Sequence, residues 1–147
     1  MIAGMTIDEL REVVSAAVDR HADVERQVRL IAARGAGDLV QLRAEVHRGL
    51  RTRRFLDYGE SAVWARAARP IVAELEKAVD ESPSQALVEL LQRAVGHVVK
   101  AIMHADDSDG LIGDLARELL ALHARACDAG VAVITPRELI ERLADAP

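Results

Sequence analysis

The acidic run DDSDGLIGD at residues 106–114 contains the residue types that bind calcium. In an EF-hand loop, carboxylates alternate before a glycine at position six, and further carboxylates at positions one and twelve complete the site. With Gly110 at position six, positions one and twelve fall on alanines. Asp107 and Asp109 are left as candidate cation ligands, but the pattern favours a turn in which Ser108 or Asp109 caps the following helix.

His123 and Cys127 are a second pair that could do chemistry, because residues four apart share one face of a helix. A structural zinc site needs four such ligands. His97 and His104 lie on the preceding helix, and in an antiparallel hairpin neither comes closer to His123 than about one helical turn. The spacing therefore favours a packed histidine beside a small buried thiol, and no metal ion or other cofactor is predicted.

The segment from residue 26 to residue 54 is strongly basic, with eight arginines against two acidic residues, although the whole chain has a net charge of −5. Such a patch attracts phosphates or an acidic partner. The candidate partner contacts combine its arginines with the three aromatic residues that follow: Arg43, Arg48, Arg51, Arg53, Arg54, Phe55, Tyr58 and Trp64. The alternative is a set of solvated helix faces that pair with the acidic C-terminal half.

The composition favours helices and argues against several classes of function. Of the 147 residues, 50% are hydrophobic but only 2% are aromatic, so the apolar content is mostly Ala, Leu, Val and Ile. Alanine is the strongest helix former, and recognition of single-stranded nucleic acid by base stacking needs more aromatic rings. The catalytic motifs G-x-S-x-G, H-E-x-x-H and C-x-x-C are lacking. We therefore expect a helical protein that is not an enzyme, with nucleic acid as a less favoured partner.

The expected location is the cytoplasm. A single cysteine cannot form an internal disulfide bond, so the chain does not need an oxidising compartment. Its first residues, MIAGMTIDELREVV, have neither the basic nor the apolar region of a signal peptide. The longest apolar run has only a few residues, whereas a membrane span needs about 20. No association with a membrane is predicted.

Apolar residues recur at helical spacing along almost the whole chain, and Gly, Pro and Ser–Pro signals separate the helices. The predicted helices cover approximately residues 6–20, 22–34, 38–51, 60–80, 84–105, 110–129 and 136–145. These helices predict an all-α fold of six or seven helices in antiparallel helical hairpins, either a bundle or a short helical-repeat-like array. The chain is expected to form a single domain over 1–147, with its weakest boundary near 52–59.

Local signals mark where several of these helices begin and end. Thr6 and Glu9 form a capping box for the first helix, and Asp38 can cap the third. Pro70 lies inside the fourth helix and predicts a kink, or a break just before it. The β-branched run at 131–134 could be extended.

Two apolar helix faces carry further expectations. Trp64 begins a stripe with a period of 3.6 residues along the fourth helix. If Trp64 is buried, its replacement by alanine should cost roughly 3–5 kcal/mol, and if it is exposed it becomes a contact residue. The last helix carries Leu139, Ile140 and Leu143, and its apolar face is expected to pair with another chain or a further segment.

The stretch from RRFLDYGES (53–61) through HADDSDG (104–110) to LHARAC (122–127) resembles a helical region of bacterial SWIM-type zinc-finger family proteins. The resemblance covers about half of the chain and implies an all-helical, repeat-like region. The zinc-binding module of that family requires a Cys-x-Cys pair and a Cys-x-His pair. This chain has one cysteine, so the zinc function and the family's metal ligands do not carry over to it.

These observations predict a non-enzymatic helical interaction or scaffold domain that binds a protein partner or forms a homo-oligomer. The helical hairpins, the lack of catalytic motifs and the uneven charge support this prediction. The alternative is that the Arg-rich segment 26–54 binds nucleic acid or an acidic partner.

Overall fold

The computed structural model describes residues 2–35, 39–131 and 136–145, and these residues contain seven α-helices. The helices are α1 (Ile7–Arg20), α2 (Ala22–Gly35), α3 (Val40–Leu50), α4 (Tyr58–Glu81), α5 (Gln85–Met103), α6 (Leu111–Ala126) and α7 (Pro136–Ala144). A 3-10 turn at Ile2–Gly4 precedes α1, and a π-helical turn at Cys127–Val131 follows α6. The predicted all-α fold is therefore confirmed. None of the described helices is long and apolar enough to cross a bilayer.

Side-chain caps determine where three of the helices begin. Thr6 accepts a hydrogen bond from the Glu9 amide at 3.2 Å, and the Glu9 carboxylate accepts one from the Thr6 amide at 2.7 Å, which confirms the predicted capping box. Asp57 and Glu60 form a second capping box at the start of α4. Ser84 caps α5 by accepting a hydrogen bond from a backbone N–H. Each cap satisfies amides that the first helical turn leaves unpaired.

Three further local predictions concern Pro70, Asp38 and the run at 131–134. Helix α4 continues through Pro70, which excludes the break and leaves the kink as the prediction for this residue. Proline removes one backbone hydrogen bond, but the remaining bonds and the packing of a 24-residue helix keep it continuous. The expected cap at Asp38 lies outside the described residues, as does most of the run at 131–134.

Helices α4 and α6 run parallel to each other. Arg69 near the middle of α4 forms an ion pair with Glu118 of α6. Further along both helices, Arg125 pairs with Asp80 and lies 3.5 Å from Glu76. Residue numbers therefore increase in the same direction along the interface.

Helices α3 and α5 also run parallel, whereas α5 and α6 form an antiparallel hairpin. Arg43 of α3 and Arg93 of α5 line one cavity, and His47 contacts His97 one turn further along both helices. The α5–α6 hairpin is closed by the short turn at 104–110, and the two helices share an extensive interface.

The four helices α3 to α6 therefore form two stacked antiparallel hairpins. Because α3 is parallel to α5 and α4 is parallel to α6, α3 must run antiparallel to α4. Consecutive helices α4 and α5 contact each other little, since they occupy opposite corners of this arrangement. The predicted hairpins and repeat-like stacking are present, but α4 pairs mainly with α6 and not with its neighbour in sequence. Helix α2 packs against α3 and α4, and α1 packs against α2.

The core is aliphatic. Its largest fully buried side chains include Leu42, Leu50, Leu75, Leu87, Leu91, Ile112, Leu115 and Leu119. Helix α6 contributes three of these and has its two most extensive interfaces with α5 and α4. Leucine, valine and alanine pack closely without the directional contacts of aromatic rings, which suits an interface between several helices.

Helix α7 packs against α6 and contacts α5 within the same chain. Leu139 is buried, and Leu143 is half-buried against the core beside Gly96. Part of the apolar face of this helix is therefore covered by its own chain, and its pairing with another chain or segment stays a prediction. Ile140 is exposed on the opposite side. Helix α1, in contrast, has no buried side chain.

The connector between α3 and α4 is fixed to the α5–α6 turn. The Leu56 amide donates to the His104 carbonyl at 2.9 Å, and the Asp106 amide donates to the Leu56 carbonyl at 2.8 Å. The Leu56 side chain is buried, and the Ser61 hydroxyl also donates to the Leu56 carbonyl. This bridge places the arginines of the connector beside α5.

Candidate functional site

Helices α3 and α5 present basic residues at intervals of one helical turn on the sides that face each other. Residues three or four apart lie on one helix face, and the parallel packing puts the two rows side by side. The connector after α3 extends the surface towards the end of α5. We call this surface the basic groove, and its positively charged and titratable residues are Arg43, His47, Arg48, Arg51, Arg53, Arg54, Arg93, His97, Lys100 and His104.

The groove contains two cavities joined by a shallow depression. The upper cavity, about 260 Å³, lies between Arg43 and Arg93 and has an apolar floor that includes Leu90. The lower cavity, about 520 Å³, has an apolar lining that includes Phe55 and Leu143. The depression between them is lined by Ala44, His47, Arg48, Arg51 and Arg53. The surface can therefore accept apolar groups as well as anions.

Most cations of the groove form no internal ion pair. Within the described parts of the chain, no carboxylate lies within ion-pair distance of the cations Arg43, Arg51, Arg53, Arg93 and Lys100. Arg54 differs, because it pairs with Glu60 and its hydrogen bond holds the pKa of that carboxyl below the usual range. Neutralisation by the acidic half of the chain, the alternative interpretation of the arginines, does not occur at these five side chains.

Two histidines meet at the wall between the upper cavity and the depression. His47 Nδ1 lies 3.2 Å from His97 Nε2, and the two rings meet edge to face with centroids 5.0 Å apart. A guanidinium nitrogen of Arg51 lies 3.5 Å from His47 Nε2. Burial lowers the pKa of His97, and the positive charges of His47, Lys100, Arg51 and Arg93 lower it further. The surrounding positive charges therefore disfavour the protonated form of His97.

The predicted contact residues occupy different positions in the structure. The residues Arg43, Arg51, Arg53, Arg54 and Phe55 line the groove, and Phe55 is 62% exposed. Arg48 lines the depression but pairs with Glu45 at 3.0 Å. Tyr58 is exposed at the start of α4, whereas Trp64 packs against the core.

Sequence reasoning missed the α5 side of the groove. Arg93, His97 and Lys100 lie about 50 residues beyond their neighbours on α3, in a half of the chain whose net charge is negative. Their spacing of four and three residues was the available signal, because it places them on one helix face.

The acidic run at 106–114 forms a capping turn, as the pattern favours, but the capping residue differs. The Asp107 carboxylate accepts hydrogen bonds from the amides of Ile112 and Gly113, both at 2.9 Å. Asp109 accepts only a longer bond from the next helical amide, so the expectation that Ser108 or Asp109 is the main cap is wrong. Gly110 has a φ of 74°, which lets the chain turn into α6 and brings these amides over Asp107.

His123 and Cys127 are adjacent on α6, as their spacing indicates. Cys127 Sγ lies 3.6 Å from His123 Nδ1, and the Gln92 amide nitrogen lies 3.4 Å from His123 Nε2. The imidazole is 0% exposed, and burial lowers its pKa. Among the residues with described positions, no group of three or more His, Cys, Asp or Glu side chains could hold a metal ion. The pair is therefore packed as a buried histidine beside a partly buried thiol.

Stability should decrease in weak acid because of His123. Its folded-state pKa lies below the ordinary 6.5, so only the unfolded chain binds the proton as pH falls through about 6.5. Its stabilising effect is complete above that pH and is lost as pH falls towards the folded-state pKa. His123→Gln, which cannot titrate, should be less stable than the wild type at pH 7.5, and the difference should shrink at pH 5.5. Urea unfolding at both pH values measures this.

The exposed His21 provides a matched control for this experiment. His21→Gln should change the free energy of unfolding little at either pH. A constant difference between the wild type and His123→Gln across the pH range would contradict the role of His123.

The fold and the groove together define an all-α protein of two stacked helical hairpins with an open basic surface on one layer. No protein-family model matches the chain, and comparisons with curated proteins and with solved structures gave no match. The resemblance to a helical region of SWIM-type zinc-finger proteins therefore stays a prediction.

Proposed function

We propose that this protein is a non-enzymatic interaction domain that binds an acidic segment of a partner protein in the basic groove. The observation that carries the proposal is a row of five cations that form no ion pair with any described residue, at Arg43, Arg51, Arg53, Arg93 and Lys100. Exposed cations on parallel helices repel one another, and a bound polyanion would relieve that repulsion.

The dimensions of the groove fit a short peptide. From Ala86 to His104 the α5 side extends for about 27 Å at 1.5 Å per residue. An extended chain rises about 3.3 Å per residue, so roughly eight residues would fill this length. Carboxylates of such a segment can pair with the guanidinium groups, which bind them through two parallel hydrogen bonds.

The lining of the lower cavity favours a peptide ligand over a nucleic acid. Phe55, Met103 and Leu143 give it an apolar lining beneath the cations Arg53 and Lys100. An apolar side chain flanked by acidic residues matches this arrangement, and Arg and aromatic residues are the types that dominate protein interfaces. A single-strand nucleic-acid site would need a series of exposed rings for stacking, whereas Phe55 is the one aromatic residue among the groove-lining residues of the described chain.

Charge reversal in the groove tests the proposal. The probe is a fluorescein-labelled peptide of about ten residues, rich in Glu and Asp and containing two leucines, measured by fluorescence anisotropy. Arg93→Glu should weaken binding about tenfold, and the double variant Arg51→Glu, Arg93→Glu about a hundredfold, because each removes an attraction and adds a repulsion. The matched control is Arg117→Glu, an exposed arginine on α6 with the same change in net charge.

The control should bind the peptide as the wild type does. Equal loss of affinity in Arg117→Glu would show a general effect of net charge and would contradict a specific groove. Tighter binding of a single-stranded oligothymidylate than of the peptide would favour the nucleic-acid alternative over the proposal. No binding of the peptide at low salt would refute the proposal directly.

A further inference from the structure

We propose that the upper cavity, lined by Arg43, His47, Arg93 and His97 with Arg51 beside it, is a seat for a phosphorylated side chain of the acidic partner segment, and that a proton is taken up when this seat is filled. This inference rests on the proposed function, since the phosphoryl group belongs to the peptide that occupies the groove. It specifies which chemical group of the peptide binds at one end of that groove.

Four donor side chains converge at this point of the groove. Arg43, His47, Arg93 and His97 line the cavity of about 260 Å³. Arg51 lines the adjoining depression, with its guanidinium 3.5 Å from His47 Nε2. A floor that includes Val46 and Leu90 shields one side from solvent, which strengthens charge interactions above it.

The number of donors favours a phosphoryl group over a carboxylate. A carboxylate has two oxygens and one negative charge, which a single guanidinium already satisfies. A phosphoryl group offers three oxygens and a charge of about −1.5 to −2 near neutral pH. Two guanidinium groups and two imidazoles in the cavity, with a third guanidinium beside His47, match the larger and more highly charged anion.

The histidine pair couples binding of the phosphorylated peptide to the uptake of a proton. The two imidazoles face each other across 3.2 Å between His47 Nδ1 and His97 Nε2, so protonating both places like charges in contact. The neighbouring groups on both helices, Arg51 on the α3 side and Arg93 and Lys100 on α5, oppose the second proton. The nearest carboxylate is Glu89, which lines the adjacent cavity together with Arg43 and Arg93 but forms no ion pair with the described cations.

A bound dianion offsets the positive charges that oppose protonation at the histidine pair. With its charge in the cavity, the protonated form of His97 is favoured, and both imidazoles can donate hydrogen bonds to phosphoryl oxygens. Binding therefore takes up a proton, and affinity should increase as pH falls from 8 to about 6.5, where most phosphoryl groups still carry two charges because their second pKa is about 6.

The same cation-rich surroundings disfavour a metal ion between the two histidines. Two imidazole nitrogens can ligate zinc, but a structural zinc site needs four ligands. In the part of the chain that the structure describes, no third metal-ligating side chain joins the pair. Arg51 and Arg93 would also repel a divalent cation at this place.

Three synthetic peptides test the seat. They share one acidic sequence of about ten residues and differ at a single position, which is phosphoserine, serine or glutamate. At pH 7 the wild type should bind the phosphoserine peptide about tenfold more tightly than either of the others. His47→Gln and His97→Gln should bind all three alike, with the affinity of the wild type for the serine peptide. The control His21→Gln, outside the groove, should keep the full preference.

The pH dependence provides the second readout. For the wild type, affinity for the phosphoserine peptide should increase at least threefold from pH 8 to pH 6.5, and calorimetry in buffers of different ionisation enthalpy should show proton uptake. His97→Gln should lose both effects. Thermal unfolding of each variant confirms that these exposed or half-buried side chains are not required for folding.

The outcomes separate this inference from the proposed function. Equal binding of all three peptides by the wild type, with loss in Arg93→Glu, would refute the phosphoryl seat and leave the acidic-segment site standing. No binding of any peptide would refute both. Persistence of the pH trend in both His47→Gln and His97→Gln would overturn the role of the histidines. Inorganic phosphate that displaces the phosphoserine peptide at equal concentration would assign the seat to free phosphate instead.

Discussion

Replacing Ile112 by alanine should lower the free energy of unfolding by about 3–4 kcal/mol. Ile112 is 0% exposed at the start of α6, the helix with the most extensive interfaces to both α4 and α5. Deleting three buried carbons removes apolar contacts and leaves a cavity that the surrounding helices cannot fully close. Since domains of this size are stable by roughly 5–15 kcal/mol, the loss is a large part of the total.

The same substitution at Ile31 of α2 is the matched control, because this side chain is 46% exposed. Ile31→Ala should cost less than about 1 kcal/mol, as expected for an exposed position. Urea unfolding followed by circular dichroism at 222 nm measures both variants. Equal losses in the two variants would show that α6 is not central to the core.

Replacing Trp64 by alanine should cost about 2–4 kcal/mol. The indole lies against the aliphatic core from α4 and is half-buried, so the change removes the largest single apolar surface at that end of the helix. The loss is smaller than for a fully buried tryptophan because part of the ring stays in solvent. The structure therefore favours a packing role for Trp64 over a role as a partner contact.

The variant Trp64→Phe distinguishes the contribution of ring packing to stability from that of the indole N–H group. The buried Trp64 Nε1 has no hydrogen-bond partner among the described residues, and an unpaired buried donor costs about 1–3 kcal/mol. Phenylalanine keeps most of the apolar contact and removes that donor, so its stability should lie within about 1 kcal/mol of the wild type. Unfolding in urea compares the two variants. A loss in Trp64→Phe as large as in Trp64→Ala would indicate a hydrogen bond from the indole.

The helices themselves follow closely from local sequence. Thr6 with Glu9, the serine at position 84 and the proline at position 136 each lie where a described helix begins. These signals work within one helical turn, so they can be recognised without knowledge of the fold. The buried stripe of α4 after Trp64 likewise follows the period of 3.6 residues.

Half of the candidate site could be predicted, and the other half could not. The cations of α3 and its connector stand out because arginine is concentrated there. Arg93 and Lys100 are separated from the α3 cations by about 40 residues that include several acidic ones, and only the packing of α5 beside α3 brings them to the same surface. The contact between His47 and His97 joins residues 50 positions apart, and no short-range pattern encodes it.

Sequence alone determined that the chain is helical, where most helices begin and end, and that its core would be aliphatic. It also placed five of the groove-lining residues, from Arg43 to Phe55, on one short segment. Tertiary structure decided that α3 pairs with α5, that α4 pairs with α6, and that α7 covers its own chain. The physical reason is that helix formation depends on neighbours within about four residues, whereas burial of aliphatic side chains is non-directional and does not specify which helix becomes the partner.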